Sequence, residues 1–165
     1  MLDWVMPPTA TDTRTRIMDE AQELILDQGY SATSVDSVVK RAGVTKGAFF
    51  HHFPSKGDLA RALVERWAVR DGEYLAEALE RAGNLTRDPV QRLLVFVGLL
   101  EEAWVGLTEP YAGCLFASYA TEAQLFDEET HRVIRDGLLR WREAVMRLLR
   151  EAAEARPPRM EVDME

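Results

Sequence analysis

The stretch from Gly29 to Pro54 constrains this chain most, because it leaves room only for short helices. Gly43 supplies the positive φ of a tight turn, and Pro54 disfavours helical geometry in the residue before it. Between these stops lie two segments of about two turns each. Thr33-Ser34-Val35-Asp36 opens the first with a capping-box spacing, in which the Thr33 hydroxyl can satisfy the Asp36 amide. Val35, Val38, Val39 and Ala42 make its buried face. The second starts near Thr45 and carries Phe49, Phe50 and Phe53. Elements this short hold their shape only by packing. A longer helix precedes them: from Asp12, residues Ile17, Ala21, Leu24 and Ile25 fall on one stripe that ends at Gly29.

The rest of the chain also reads as helical, with no period-2 alternation and no internal repeat. Residues 1–11, with Pro7-Pro8 and the threonines after them, are expected to form a frayed arm. Ser55-Lys56-Gly57-Asp58 is a second capping box. It opens a long helix through Leu59, Leu63 and Trp67 toward Ala82, where Gly83-Asn84 breaks it. Asp88-Pro89 starts the next, with proline at the tolerated first position. That helix, 90–105, is apolar nearly all round and is expected to be buried centrally. Gly106 and Pro110 end it. A short segment from Gly113 and a long amphipathic helix over 128–155 complete seven helices, and Pro157-Pro158 closes the last. The expected fold is all-α, a small N-terminal bundle followed by a larger one.

Charge is distributed unevenly. Lys+Arg 20 against Asp+Glu 28 gives a net charge of −8, which repels nucleic acid as a whole. Yet between Thr33 and Gly57 stand Lys40, Arg41, Lys46 and Lys56, every lysine of the chain, with Asp36 as the sole acid. A solvated surface gives the same pattern, so charge alone decides nothing. The composition, 47% hydrophobic and 29% charged, excludes disordered and collagen-like classes. No apolar run reaches the ~18–20 residues of a membrane span. The first residues lack the basic region of a secretory leader. Cys114 is the only cysteine, which excludes an internal disulfide framework and fits a reducing cytoplasm.

Two short helices joined by a Gly-centred turn, with a packing helix before them, describe a helix-turn-helix. In that motif the second short helix enters the major groove of DNA with its N-terminal residues at base edges. Amides at the N-termini of flanking helices bind phosphates. Here those N-termini carry Thr33 and Ser34, Thr45 and Lys46, and Ser55 and Lys56. The lysines concentrate where phosphate would lie.

Ile17 through Leu59 resembles the DNA-binding domain of the tetracycline-repressor (TetR) family of bacterial regulators. The matching text is Gly29-Tyr30 with Thr33-Ser34, then Ala42-Gly43-Val44-Thr45-Lys46-Gly47, then His52-Phe53 and Ser55-Lys56-Gly57-Asp58-Leu59. A lone helix-turn-helix pattern carries little weight, but this run in this order is specific. The resemblance implies that the helix from Thr45 reads DNA. Thr45, Lys46, Gly47 and Ala48 occupy its DNA-facing start, and His51 and His52 its later turn. It also implies phosphate contacts at Thr33, Ser34 and Lys56. Where the family usually has a tyrosine whose hydroxyl helps hold a phosphate, this chain has Phe50, which points to reduced backbone affinity.

Blander readings stand beside these. Phe49 and Phe53 sit on the apolar face and read as core. Lys40 and Arg41 fit a solvated surface as well as DNA. His51-His52 does not read as a metal site, because adjacent helical residues point about 100° apart and no spaced ligand set accompanies them. No Gly-rich phosphate loop and no Ser/His/Asp or Cys/His grouping appears, so neither catalysis nor a cofactor is expected.

The second bundle holds most of the aromatic residues. In the family the equivalent bundle encloses a pocket for a small, often apolar or aromatic effector. Its binding shifts the spacing of the two DNA-reading domains in a dimer and releases the operator. Trp67, Phe96, Trp104, Tyr111, Phe116, Tyr119 and Trp141 are the candidate lining, although aromatic residues in a bundle also simply fill a core. Gly113-Cys114-Leu115-Phe116, ahead of Ala120-Thr121-Glu122, resembles a segment of one branch of the family and names no ligand.

The expected division is an arm over 1–11, a helix-turn-helix domain over 12–58, an effector-binding domain over 59–155 and a tail over 156–165. The expected function is a cytoplasmic, homodimeric transcriptional regulator. It would be a repressor that binds an inverted-repeat operator in double-stranded DNA and is released by its effector. The alternative is a ligand-binding or interaction protein that has lost effective operator binding, as the acidic charge and Phe50 allow. Family members usually continue for two further helices that form the dimer interface. Here the sequence stops at Met160-Glu161-Val162-Asp163-Met164-Glu165. A truncated form or a weak dimer is therefore expected, with part of the Val133, Leu138, Trp141, Val145 and Leu148 face uncovered.

Overall fold

The structure is a computed structural model that describes residues 13–105, 119 and 122–157. Among these residues every regular element is helical. They are α1 (Thr13–Gln28), α2 (Val35–Ala42), α3 (Lys46–His52), α4 (Lys56–Leu85), α5 (Pro89–Val105), a 3₁₀ turn (Ala123–Leu125) and α6 (Glu128–Ala155). The segment expected from Gly113 lies mostly outside the described residues. Two compact units emerge, one from the described residues within Met1–Ala68 and Tyr111–Ile134, the other from those within Val69–Pro110 and Arg135–Glu165. No helix among the described residues is long and apolar enough to cross a membrane.

The first unit holds together because each of its short helices has one apolar face. α1 buries Ile17, Met18, Ala21, Leu24 and Ile25, α2 buries Val38 and Ala42, and α3 buries Phe49. These join Phe53, Leu59, Leu63 and Val64 in one core. α1 stops at Gly29, whose φ of +86° is left-handed. Gly43 closes α2 at φ +62°, its N–H donating to Lys40 O at 3.3 Å while Val44 N–H donates to Val39 O at 3.1 Å. Arg41 pairs with Glu20 at 2.7 Å and with Glu23, both on α1. Exposed pairs contribute at most about 1 kcal/mol each, so the apolar faces decide the packing.

The cap of α2 falls one residue later than the Thr33–Asp36 spacing suggests. Ser34 is the cap: its hydroxyl accepts from Ser37 N–H at 3.0 Å, and the Ser37 hydroxyl accepts from Ser34 N–H at 3.0 Å. Thr33 is instead 2% exposed, and its hydroxyl donates to Gly29 O at 2.9 Å. The carbonyl left open at the end of α1 captures that hydroxyl first. Ser55 caps α4 as expected, accepting from Asp58 N–H at 3.1 Å.

The second unit has its own core of Leu75, Ala78, Ala82, Phe96, Leu99, Ala144 and Leu148. Asp88 caps α5 by accepting from Val90 and Gln91 N–H at 3.0 and 2.9 Å. The bond from Gln91 leads the causes that hold its carboxyl below the usual range. Two expectations change. α4 runs through Gly83 to Leu85, since one helical glycine costs only about 1 kcal/mol against alanine. α5 is not buried all round: Phe96 and Leu99 are buried, but Leu94 and Val97 are 57% and 52% exposed. Period-3.6 geometry sends these pairs to different faces, and the described residues cover only one of them. On α6, Leu138 and Leu139 are likewise exposed while Leu148 is buried.

Candidate nucleic-acid interface

Local chemistry sets the N-terminus of α3. The Thr45 hydroxyl accepts from Ala48 N–H at 3.1 Å, which turns the chain into the helix and leaves Thr45, Lys46 and Gly47 exposed. A Cβ at Gly47 would meet only Thr45 Oγ1, at 3.8 Å, so the surface there is open to an approaching partner. Ala48 and His52 are half-buried, and His51 is exposed. The two imidazole rings lie edge to face with centroids 5.2 Å apart. Phe49 and Phe53 are buried at 0% and 2%, whereas Phe50 keeps 49% of its surface in solvent, edge-on to Phe49. Consecutive helical positions point about 100° apart, which separates a core phenylalanine from an exposed one.

The cations expected to meet phosphate already have protein partners. Lys46 Nζ lies 2.7 Å from Asp36 Oδ1, both side chains well exposed. Lys56 is half-buried, donates to Tyr30 O at 2.5 Å and stands 4.0 Å from the centroid of the Tyr30 ring. Burial pushes its ammonium below the ordinary lysine value, with Glu122 acting the other way. Ser34 is exposed but its hydroxyl is engaged with Ser37. Thr33 is turned inward, its hydroxyl donating to Gly29 O.

Of the seven aromatic residues expected to line a pocket, the four whose side chains are described divide between the cores of the two units. Trp67 and Tyr119 belong to the core of the first unit, where Tyr119 stacks on Phe126 at 4.4 Å. Phe96 and Trp141 belong to the second, with ring centroids 6.4 Å apart. Tyr111 and Phe116 lie outside the described residues, and of Trp104 only the helical backbone lies within them. Spacing along the sequence missed two acids. Asp71 accepts from Trp141 Nε1–H at 2.7 Å, and burial raises its carboxyl above the ordinary value. Glu122 accepts from the backbone N–H groups of Tyr30 and Ser31, each at 2.8 Å.

Comparison with known proteins converges on these elements. Residues 17–63 match the model of bacterial regulatory proteins, tetR family. Transcriptional regulator AcuR of Cereibacter sphaeroides is 29% identical over 150 residues, 88% of this chain and 64% of that protein. HTH-type transcriptional regulator AcrR of Shigella flexneri is 37% identical over 84 residues, 51% of this chain and 38% of that protein. The chain thus spans less than two thirds of either relative. A crystal structure of regulatory protein TetR from Rhodobacter sphaeroides matches 93% of this chain and 79% of its own, with a TM-score of 0.71 at 26% identity.

Proposed function

Because this chain belongs, through residues 17–63, to the tetR family of bacterial regulatory proteins, we propose that it is a DNA-binding transcriptional regulator. It acts as a homodimeric repressor, reading an inverted-repeat operator with two copies of α3 and leaving it when a small apolar or aromatic effector binds. The observation that carries this reading is the α2–turn–α3 unit. Gly43 at φ +62° sets the turn, and the open Thr45-Lys46-Gly47 surface lies at the start of α3. Two such helices read successive major grooves when they stand about 34–36 Å apart. Thr45, Lys46, Gly47 and Ala48 meet base edges and the nearby backbone, Ser34 lies toward a phosphate, and Lys56 reaches one only by leaving Tyr30.

Selection of bound sequences from random DNA by the purified protein tests this directly. Enrichment of an inverted repeat is the expected result, and a pool that never departs from random sinks the reading. The effector half is tested by tryptophan fluorescence against a panel of aromatic and apolar metabolites, with displacement of the selected duplex as the readout. A weak operator binder is the second reading. It is favoured by the Lys46–Asp36 pair and by the inward turn of Lys56, and the affinity of the enriched duplex separates the two.

On that duplex, Lys46→Ala is expected to weaken binding and to lower the log–log salt slope by about one unit per protomer, the signature of one lost phosphate neutralisation in each copy. An unchanged slope removes Lys46 from the backbone contacts. Phe50→Tyr is expected to keep the fold, since half of the ring is already in solvent. The new hydroxyl tightens binding about fivefold per protomer, the worth of one net hydrogen bond of about 1 kcal/mol in each copy. Equal affinity for the two proteins means that position 50 faces no phosphate.

A further inference from the structure

Tyr30 is held from both sides of its own peptide unit. Its N–H donates to Glu122 Oε1 at 2.8 Å, while the next N–H, that of Ser31, and the Ser31 hydroxyl donate to Glu122 Oε2. Its carbonyl accepts from Lys56 Nζ at 2.5 Å, and the same ammonium lies 4.0 Å from its ring centroid. The ring is gripped by Phe126 at 4.6 Å and Tyr119 at 5.8 Å, residues that flank Glu122 in the chain. Glu122 itself is fixed by its N–H to Tyr119 O at 3.1 Å and by Leu125 N–H to its carbonyl at 3.0 Å. One carboxylate therefore reaches across 92 positions of sequence to set the turn that leads into the cap of α2 and that occupies Lys56, the first residue of α4.

We propose that Glu122 is a positioning residue that restrains operator binding: by fixing Tyr30 it keeps Lys56 on the Tyr30 carbonyl and ring instead of on a DNA phosphate. The proposal rests on the operator-binding reading above and deepens it. Two physical effects give it the same sign. A cation that already has a carbonyl and an aromatic face must give both up before it can neutralise a phosphate. The Glu122 carboxylate also attracts that ammonium directly, which adds to what the lysine must give up. Coupling of this kind is reciprocal, so whatever loosens Glu122 tightens the operator, and the operator in turn loosens Glu122.

The test uses the full chain and the duplex enriched by selection. Glu122→Gln keeps the shape and one acceptor but removes the charge. Ser31→Ala leaves the charge and removes one donor that holds it. Hydrogen exchange of the Tyr30 and Ser31 amides is expected to accelerate in Glu122→Gln, which reports the released turn before any DNA is added. Affinity is expected to rise about fivefold and the log–log salt slope to steepen by about one unit per protomer, as Lys56 reaches a phosphate. Ser31→Ala is expected to tighten binding in the same direction by a smaller factor, which a bare change of net charge would not produce. In a Lys56→Ala background both gains vanish.

Weaker or equal binding by Glu122→Gln overturns the proposal while leaving the operator reading intact, and so does a gain that survives Lys56→Ala. If the wild-type protein selects no DNA but Glu122→Gln does, the restraint is stronger than stated and stands. If neither binds any duplex, the operator reading fails and takes the proposal with it.

Discussion

Replacing Phe49 with alanine should cost the protein about 3–5 kcal/mol, a large share of the roughly 5–15 kcal/mol that a folded domain has in hand. Its ring is wholly buried and tilts against Phe53 with centroids 5.9 Å apart, in the core shared by α1, α2, α3 and the start of α4. Removing it leaves a cavity between helices too short to stand alone, and a helix of seven residues has no other apolar anchor of that size. The neighbouring change gives the internal control. Phe50 is half in solvent, so Phe50→Ala should cost no more than about 1 kcal/mol. Chemical denaturation of the two variants measures the contrast. Similar losses at positions 49 and 50 would mean that α3 is not docked through the face described.

The second large effect is expected at Gly29. Both Gly29 and Gly43 have positive φ, +86° and +62°, so alanine at either position carries a backbone cost of about 1–2 kcal/mol. At Gly43 nothing lies within 4 Å of an added Cβ, and the cost ends there. At Gly29 the Cβ would come within 2.9 Å of Glu122 Oε1, the atom that accepts from Tyr30 N–H. The carboxylate must then move, and a hydrogen bond to a charged group is lost or lengthened. Gly29→Ala should therefore cost about 3 kcal/mol against about 1 for Gly43→Ala, and it should speed exchange of the Tyr30 amide. Equal losses at the two glycines, with Tyr30 exchange unchanged, would contradict the close approach of Glu122 to the turn.

Much of the first unit was legible residue by residue. The stripe of Ile17, Ala21, Leu24 and Ile25, the stops at Gly29 and Gly43 and the helix start near Thr45 all appear where the spacing puts them. Phe49 and Phe53 are core, as their apolar face implies. The misreadings share a cause, which is competition between partners that are equally good on paper. Thr33 and Ser34 both suit a cap, and the open carbonyl of Gly29 decides which hydroxyl is free. Gly83 suits a stop, but packing of Ala82 in the second core holds the helix through it.

The sequence by itself determined the short helices and the turn between them. Each of these depends on φ preferences, caps and periodicity acting over a few residues. Only the tertiary structure decided that Lys46 faces Asp36, that Lys56 turns onto Tyr30, and that Trp67 and Tyr119 belong to a different core from Phe96 and Trp141. It also brought Glu122 to the N–H groups of Tyr30 and Ser31. Such contacts join positions far apart in the chain, and no local spacing encodes them. They exist because buried apolar faces fix the backbone first, and polar side chains then take the partners that packing leaves within reach.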